Sequence, residues 1–517
     1  MKRSESVVGL GDFQTPEHLA RQVLAFVRSR GVTPGRILEP TCGSGAFVSA
    51  AYATWASVRE VIGIEINPAY DRELAELAKL HPSFRYEYLD AQTMDDSDLQ
   101  WSSREPLLIC GNLPWVTTDA LSRLVHDYQL KIRDNPKKLK GLAALTGSGS
   151  FDISERLALR FVQLAVRQEK ADIALLLKES VARRILLDAK DLFTDAAVVR
   201  IDSHEWFGVN VHSCLLYIHF EQGVVSANRR VEYYAGLSSE SAQRWTLDGG
   251  IVRKTSRDKT RTSTASGATW RHGIKHDAAS VFELDAGRTP DMRSELEHQA
   301  GLELDSPYVF PLVTARDLHV SMRLVPVRRH MLVPQRKLGD RSIERDPKAL
   351  REREYLRCAD ERLKRRRSSI YKNKPPYAIF GVGNYTFAPF KAAVAGLYLR
   401  PHFRFLGPID NKPIVLGDTS YFVPCERAVD AAIIVALGNE VTIMTDVQEM
   451  AFAGKRPITK RLLDSLDFQA ALLVTPREAL CALVVAQIAA WEGQPLPIPS
   501  EHEVLDRAAS LFGNLIR

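Results

Sequence analysis

The chain has 517 residues, a formal net charge of +6 and a sequence pI near 8.9, with 45% hydrophobic and 26% charged residues. This length exceeds one ordinary core and predicts a soluble globular protein of two to four domains, with a mild basic balance that permits a polyanionic partner. No apolar run approaches the roughly 20 residues that span a bilayer, and the polar start lacks a signal-peptide core. The six cysteines form no CxxC pair or Cys/His metal spacing, so we expect reduced thiols, no metal and a cytoplasmic location.

The first patterned segment is Phe13-Gln14-Thr15-Pro16, followed by apolar residues at helical spacing. Thr15 is predicted as the N-cap of a helix, with Pro16 in its first turn. Taken alone, this segment indicates only the start of an amphipathic helix.

A short apolar strand then ends at Glu39 and Pro40 and leads into the loop Cys42-Gly43-Ser44-Gly45. Glycines let the backbone bend tightly and let a ligand approach closely. The loop is neither GxGxxG nor a phosphate-binding Lys-Ser/Thr loop. It is therefore a general sign of nucleotide binding that names no ligand.

Three more predicted strands end in polar side chains, at Glu65, Asp90 and Asn112. A carboxylate at the separation of Glu65 suits the hydroxyls of a ribose. Cores exclude unpaired carboxylates. Polar groups at four successive strand ends are therefore hard to explain by packing alone.

The apolar run that leads to Asn112-Leu113-Pro114-Trp115 predicts a buried strand that ends at a ligand crevice. An amide acceptor, a backbone carbonyl and a flat aromatic ring can together hold a planar base that carries an exocyclic amine. The alternative is a strand that leaves through an Asn turn, with Trp115 packed below it.

In this order, the Phe-x-Thr-Pro segment, the Glu/Pro/Gly loop, the two strand-end acids and Asn-Leu-Pro-Trp resemble the motif series of amino-directed DNA methyltransferases. The resemblance is narrowest to the gamma class of adenine-N6 enzymes of restriction-modification type, and it covers about the first quarter of the chain. It implies an α/β fold, with a Rossmann-like seven-stranded class I methyltransferase domain followed by a mixed α+β target-recognition domain.

The resemblance also implies S-adenosylmethionine as the cofactor and assigns residues to it. The acid at Glu65 would hold the ribose, and Asp90 would accept from the adenine amine of the cofactor. The full cofactor-binding set implied is Phe13, Thr15, Pro16, Glu39, Pro40, Cys42, Gly43, Gly45, Glu65 and Asp90.

The catalytic set implied by the resemblance is Asn112, Leu113, Pro114 and Trp115. The Asn112 side chain and the Leu113 carbonyl would accept from the target amine, and Trp115 would stack on the flipped base, for direct transfer without a cysteine nucleophile. Leu113 stands where the family has Pro, which keeps the carbonyl but loses the φ restriction. Because cytosine also has an exocyclic amine, N4-cytosine methylation stays open, as do RNA or glutamine acceptors and a catalytically idle DNA-recognition subunit.

After this motif, the apolar segments near 171–178, 198–201 and 209–220 predict further strands, the last two resembling the antiparallel closing pair of the methyltransferase sheet. Phe151 is a candidate for stacking on the cofactor adenine, although packing at a helix N-terminus is the more ordinary role. His212 is a candidate for facing the target base, although a buried structural histidine is the more ordinary one.

Composition turns polar near residue 225, so we expect a methyltransferase domain over 1–225, a target-recognition and DNA-binding domain over 226–480 and a helical segment over 481–517. Cations interleaved with aromatic residues suit phosphate and base contacts. A solvated helical face is the better explanation of the basic run 362–367. The candidate DNA-binding residues are Trp270, Arg271, Lys275, Lys372, Lys374, Tyr385 and Lys391.

The expected partner is double-stranded DNA. We see no convincing nuclease motif in the sequence, so any restriction endonuclease is expected to be a separate polypeptide.

Overall fold

The computed structural model describes residues 13–115, 153–224, 230–248, 250–255, 268–285, 302, 305–320, 323–325, 327–366 and 368–513. The chain forms two compact units, Met1–Thr260 and Arg261–Arg517.

Unit 1 is built on one mixed sheet of ten strands. These are β1 (Arg36–Glu39), β2 (Glu60–Glu65), β3 (Phe84–Tyr88), β4 (Leu107–Asn112), β5 (Lys170–Lys178), β6 (Asp195–Asp202), β7 (His212–Glu221), β8 (Arg230–Tyr234), β9 (Ala242–Asp248) and β10 (Ile251–Thr255). They lie in the order β10-β9-β8-β6-β7-β5-β4-β1-β2-β3.

The first seven strands form the methyltransferase core of that sheet. Strands β1 to β5 pair in parallel, and β7 runs antiparallel between β5 and β6. This arrangement confirms the class I methyltransferase fold and the antiparallel closing pair. Strands β1 and β2 are buried along their whole length, as parallel strands covered on both faces require.

The helices of unit 1 are α1 (Glu17–Ser29), α2 (Ala46–Thr54), α3 (Asp71–Leu80), α4 (Ile153–Val166), α5 (Glu179–Asp188) and α6 (Ser203–Phe207). Helix α1 buries Leu19, Val23 and Val27, which share one face at i, i+4 spacing, in the same core as the sheet. The predicted cap by Thr15 is wrong. Pro16 occupies the N-cap position with an extended ψ of 135°, so the helix begins at Glu17 without a side-chain cap.

Strands β8 to β10 extend the sheet beyond β6, to which β8 pairs in parallel. The boundary expected at residue 225 precedes these strands, whereas the compact unit continues to Thr260. Backbone pairing explains the difference, since the edge of β6 accepts β8 as a further parallel strand. The functional division at 225 and 480 stays a prediction.

Unit 2 contains two four-stranded sheets and a set of helices, which gives the expected mixed α+β composition. The strands are β11 (Arg271–His272), β12 (Glu283–Asp285), β13 (Val309–Val313), β14 (Arg329–Leu332), β15 (Phe390–Ala395), β16 (Phe403–Leu406), β17 (Val415–Leu416) and β18 (Ser420–Cys425). The sheet orders are β11-β18-β15-β16 and β12-β14-β13-β17.

The longest described helices of unit 2 lie in its C-terminal part. They are α7 (Ala279–Phe282), α8 (Ala315–Val320), α9 (Ser342–Arg345), α10 (Leu350–Cys358), α11 (Asp360–Lys364), α12 (Ala428–Gly438), α13 (Val441–Met450), α14 (Lys460–Asp464), α15 (Phe468–Val474), α16 (Arg477–Ala489) and α17 (Glu501–Phe512). Helix α12 is almost wholly buried, and Arg507 of α17 donates two 2.8 Å hydrogen bonds to Asp430 within it. The boundary expected at residue 480 falls within α16.

Among the described residues, no single helix has the length and apolar composition to cross a membrane. Two pairs of consecutive helices, α12 with α13 and α15 with α16, have that length and composition when taken together, but each pair is sharply bent.

Candidate active site

A cavity opens at the carboxyl ends of the parallel strands of unit 1. Because β1 pairs in parallel with both β2 and β4, the polar residues that end these strands lie at one edge of the sheet. The cavity is lined by Phe13, Gln14, Thr15, Glu39, Pro40, Thr41, Cys42, Gly43, Ala46, Ile64, Glu65, Ile66, Asn67, Leu89, Asp90, Ala91, Gln92, Asn112, Pro114, Ile153 and Leu157.

The loop after β1 needs its two glycines. Gly43 has φ +50° and Gly45 has φ +82°, where side chains cost energy. A Cβ on Gly43 would lie 2.5 Å from Gln14 Oε1, and one on Gly45 would lie 2.3 Å from Leu77 Cδ1. Gly45 is also the N-cap of α2, so the loop delivers the backbone directly into that helix.

Glu39 lies beneath the N-terminus of α2, where its carboxylate accepts a 3.0 Å hydrogen bond from Val48 N. Burial raises the pKa of Glu39 well above its usual range, against the lowering effect of the backbone donors, and nearby Glu65 raises it further. A cation in the cavity would favour the ionised carboxylate. Such a ligand would therefore lower the pKa of Glu39 toward its usual range.

Glu65 is fixed by backbone donors at both of its oxygens. One oxygen accepts from Gly43 N at 2.7 Å, and the other accepts from Ile66 N at 2.9 Å and Asn67 N at 2.8 Å. These bonds fix the orientation of the carboxylate at the cavity wall. Asp90 is similarly oriented by a 2.9 Å bond from Gln92 N.

The Asn112 amide is held by one end only. Its Nδ2 donates to the Phe13 carbonyl at 2.9 Å, whereas its Oδ1 is buried and has no hydrogen-bond partner within the described ranges. The backbone is held too, because Thr41 Oγ1 donates to the Asn112 carbonyl at 3.1 Å and Leu113 N donates to the Leu176 carbonyl at 3.2 Å. Asn112 lines the cavity, and these bonds hold its side chain and backbone there.

Leu113 and Trp115 are buried beside this amide, with 1% and 7% exposure. The Trp115 ring centroid lies 5.6 Å from that of Phe13 and 5.0 Å from that of Phe207. The ring therefore has packing partners of its own, and its stacking on a base stays a prediction.

The cavity fits S-adenosylmethionine by its chemistry. It combines apolar walls with carboxylates at Glu39, Glu65 and Asp90, which match a cationic group, ribose hydroxyls and an adenine amine respectively. Burial raises the pKa of the Cys42 thiol well above its usual range. This thiol is therefore protonated and is not a nucleophile.

The predicted cofactor residues Phe13, Thr15, Glu39, Pro40, Cys42, Gly43, Glu65 and Asp90 all line the cavity, whereas Pro16 and Gly45 act on the backbone beside it. Gln14 and Thr41 also line the cavity; they lie within the predicted segments 13–16 and 39–45 but were not named among the cofactor residues, and their contacts are made with residues distant in sequence. Only their positions within the two motifs gave a signal.

The structure separates the predicted DNA-binding residues into exposed and buried ones. Arg271 is exposed, with its guanidinium 4.9 Å from the Tyr385 ring centroid. Lys372 is exposed and Lys374 is partly buried. The Nζ of Lys275 lies 3.7 Å from Oδ2 of Asp277. Arg336 is exposed as well, although it was not among the candidate DNA-binding residues. Its guanidinium lies 4.5–5.9 Å from the centroids of three rings, those of Phe387, Phe310 and Tyr308.

Trp270 and Lys391 do not fit a surface role. Trp270 is 0% exposed and packs near Phe403, and Lys391 is 1% exposed with its Nζ donating to the Ala388 carbonyl at 2.6 Å. The burial of Lys391 lowers its pKa to about 7. Aromatic packing and an internal hydrogen bond thus occupy the groups that were expected to meet DNA.

Two further candidates have different outcomes. Phe151 lies outside the described residues. His212 is exposed at the start of β7, not buried as the ordinary interpretation holds, and its facing a target base stays a prediction.

No protein-family model matches the chain. It is 33% identical over 472 residues to the type II methyltransferase M.NspV of Nostoc sp. (strain ATCC 29411 / PCC 7524), across 89% of this chain and 96% of that protein. Its fold is similar to that of the type IIL restriction-modification enzyme MmeI, solved in complex with DNA, with a TM-score of 0.50 and 13% identity over 96% of this chain and 72% of that one. At that identity the second similarity concerns the fold alone.

Proposed function

The chain belongs to the type II methyltransferases, DNA methyltransferases of restriction-modification type, and from this premise we propose that it methylates adenine N6 in duplex DNA. The observation that carries the proposal is the buried Asn112 Oδ1, which has no partner among the described residues. A buried acceptor without a donor costs about 1–3 kcal/mol, so an amine that enters the cavity gains this bond.

S-adenosylmethionine is the expected cofactor, and when bound it supplies an electrophilic methyl group. Asn112 Oδ1 and the Leu113 carbonyl accept the two hydrogens of the target amine, which directs the nitrogen lone pair out of conjugation with the ring. Amide oxygens are weak bases, so the proton released on methylation passes to solvent. Glu65 holds the cofactor by accepting hydrogen bonds from its ribose hydroxyls. Asp90 holds it by accepting a hydrogen bond from its adenine amine.

The base reaches this acceptor by leaving the helical stack, since its amine is otherwise engaged in pairing. Phe13 lines the cavity beside Asn112, and its ring packs on the buried rings of Trp115 and Phe207. An aromatic wall of this kind suits a flat base better than a flexible glutamine side chain. Adenine is favoured over cytosine by the order of the motifs, and the geometry is compatible with either amine.

Unit 2 is the proposed DNA-contacting part. Arg271 and Arg336 lie over aromatic rings, are exposed, and form no ion pair with a described residue. A guanidinium held flat on a ring keeps in-plane donors for phosphate or base edges. Lys275, Lys372 and Lys374 are proposed as further phosphate contacts. A cytoplasmic location and a separate endonuclease partner remain predictions.

The test is transfer of tritiated methyl from S-adenosylmethionine to mixed-sequence duplex DNA, followed by nucleoside analysis. We expect N6-methyladenine from the wild-type chain and none from Asn112→Ala, with cofactor binding retained. A product of N4-methylcytosine, or methylated RNA or protein in place of DNA, would require another substrate. Full activity of Asn112→Ala would remove the amide from its assigned role.

A further inference from the structure

We propose that Gln14 is a positioning residue that links the cofactor loop to the Asn112 amide; the inference rests on the proposed function. Gln14 lines the cavity, and its neighbour Phe13 contacts the acceptor residue. Two consecutive residues thereby connect the two halves of the site.

The Gln14 side chain joins two loops. Its Oε1 accepts from Ser44 N and from Ser44 Oγ, each at 3.1 Å, and its Nε2 donates to Tyr70 OH at 2.8 Å. Ser44 belongs to the glycine loop after β1, and Tyr70 ends the 3-10 turn Pro68–Tyr70 after β2. Gln14 is therefore located by three hydrogen bonds to segments that carry Glu39 and Glu65 at their strand ends.

The Phe13 carbonyl determines which end of the Asn112 amide faces the ligand. It accepts from Asn112 Nδ2, so the oxygen, and not the nitrogen, is left without a partner within the described part of the chain. An amine needs an acceptor, and a rotated amide would present a donor instead. The productive orientation of Asn112 thus depends on where the Phe13 carbonyl lies.

The link follows from the adjacency of these residues. The peptide between Phe13 and Gln14 is planar and rigid, so anchoring Gln14 restricts the Phe13 carbonyl. When Gln14 loses its bonds, the carbonyl can shift, and a misplaced acceptor slows transfer even when the cofactor is bound. Gln14 is exposed, so its replacement should leave the protein folded.

The link predicts a result that a simple cofactor contact does not. A residue that only holds the cofactor loop would change the Kd for S-adenosylmethionine and leave the rate constant at saturating cofactor unchanged. A positioning residue lowers that rate constant as well. The variants are Gln14→Met and Tyr70→Phe, and Gln22→Met is the matched control because its amide contacts His18 outside the cavity.

Single-turnover transfer to DNA at saturating cofactor is the first measurement. We expect the rate constant to fall about tenfold in Gln14→Met, to fall less in Tyr70→Phe and to stay unchanged in Gln22→Met. An unchanged rate constant in Gln14→Met, with only Kd altered, would overturn the link.

The second measurement is a double-mutant cycle on the free energy of unfolding, obtained by denaturant titration without cofactor or DNA. Gln14→Met and Asn112→Ala should be non-additive, because each breaks the same connection; additive changes would overturn the inference. If the wild-type chain binds cofactor but methylates no DNA, the proposed function fails, and this cycle still decides whether the link exists.

Discussion

Replacing Gly43 with Ala tests the cofactor loop in the way most open to calculation. The φ of +50° costs an alanine about 1–2 kcal/mol. The new Cβ would also lie 2.5 Å from Gln14 Oε1, so that side chain must move and give up its two bonds from Ser44. Two such bonds at an exposed side chain are worth about 1–2 kcal/mol together.

Gly31→Ala separates these two costs. Gly31 has a φ of +83°, yet nothing lies within 4 Å of its added Cβ. It therefore carries the backbone strain alone, and it does not line the cofactor cavity. The part of the loss of unfolding free energy that is specific to Gly43 should be the roughly 1–2 kcal/mol of the Gln14 bonds.

The assay is titration of S-adenosylmethionine into each variant, with denaturant unfolding as the check on stability. We expect the unfolding free energy to fall in both variants, by about 1–2 kcal/mol more in Gly43→Ala than in Gly31→Ala. We expect Kd to rise in Gly43→Ala, because Gly43 and the displaced Gln14 both line the cavity, and to stay within about twofold of wild type in Gly31→Ala. Wild-type affinity in folded Gly43→Ala would refute the account of this loop.

The remaining predictions concern unit 2. Arg271→Ala should weaken DNA binding and reduce the slope of log K against log salt concentration by about 1. The control is Arg329→Ala, which should leave the slope unchanged because the Arg329 side chain is paired with Glu283. DNA titrations at several salt concentrations measure both slopes. An unaltered slope in Arg271→Ala would contradict its phosphate contact. For Lys391, burial lowers the pKa from 10.5 to about 7. The contribution of the neutral lysine to the free energy of unfolding is therefore complete above pH 10.5 and is lost as pH falls through 7. Lys391→Met should therefore gain stability relative to wild type between pH 9 and pH 6, as followed by denaturant unfolding, without loss of DNA affinity. If the two proteins differed by the same unfolding free energy at pH 9 and pH 6, Lys391 would not be neutral in the folded state.

The strand ends were predictable from sequence because their signal is local. Continuous apolar runs end at Glu39, Glu65 and Asn112, and parallel pairing brings such ends to one edge of a sheet. The glycine loop was predictable for the same reason, since the positive φ values of Gly43 and Gly45 restrict the residue type.

Other features depend on contacts that a single sequence does not contain. Trp270 and Lys391 occur in cation- and aromatic-rich segments, yet burial decides their role, and composition does not report burial. Gln14 contacts residues 30 and 56 positions away, so local pattern could not assign it. The strands β8 to β10 join the sheet through pairing with β6, beyond a polar turn that resembles a boundary.

The central claim is that Asn112 activates the amine of adenine in DNA. The most direct test is methylation-sensitive sequencing of DNA from cells that express this chain alone, beside cells that express Asn112→Ala at equal level. We expect N6-methyladenine at one recurring sequence in cells with the wild-type chain and no N6-methyladenine at that sequence in cells with Asn112→Ala. Methylation confined to cytosine, or the same adenine pattern with both proteins, would contradict it.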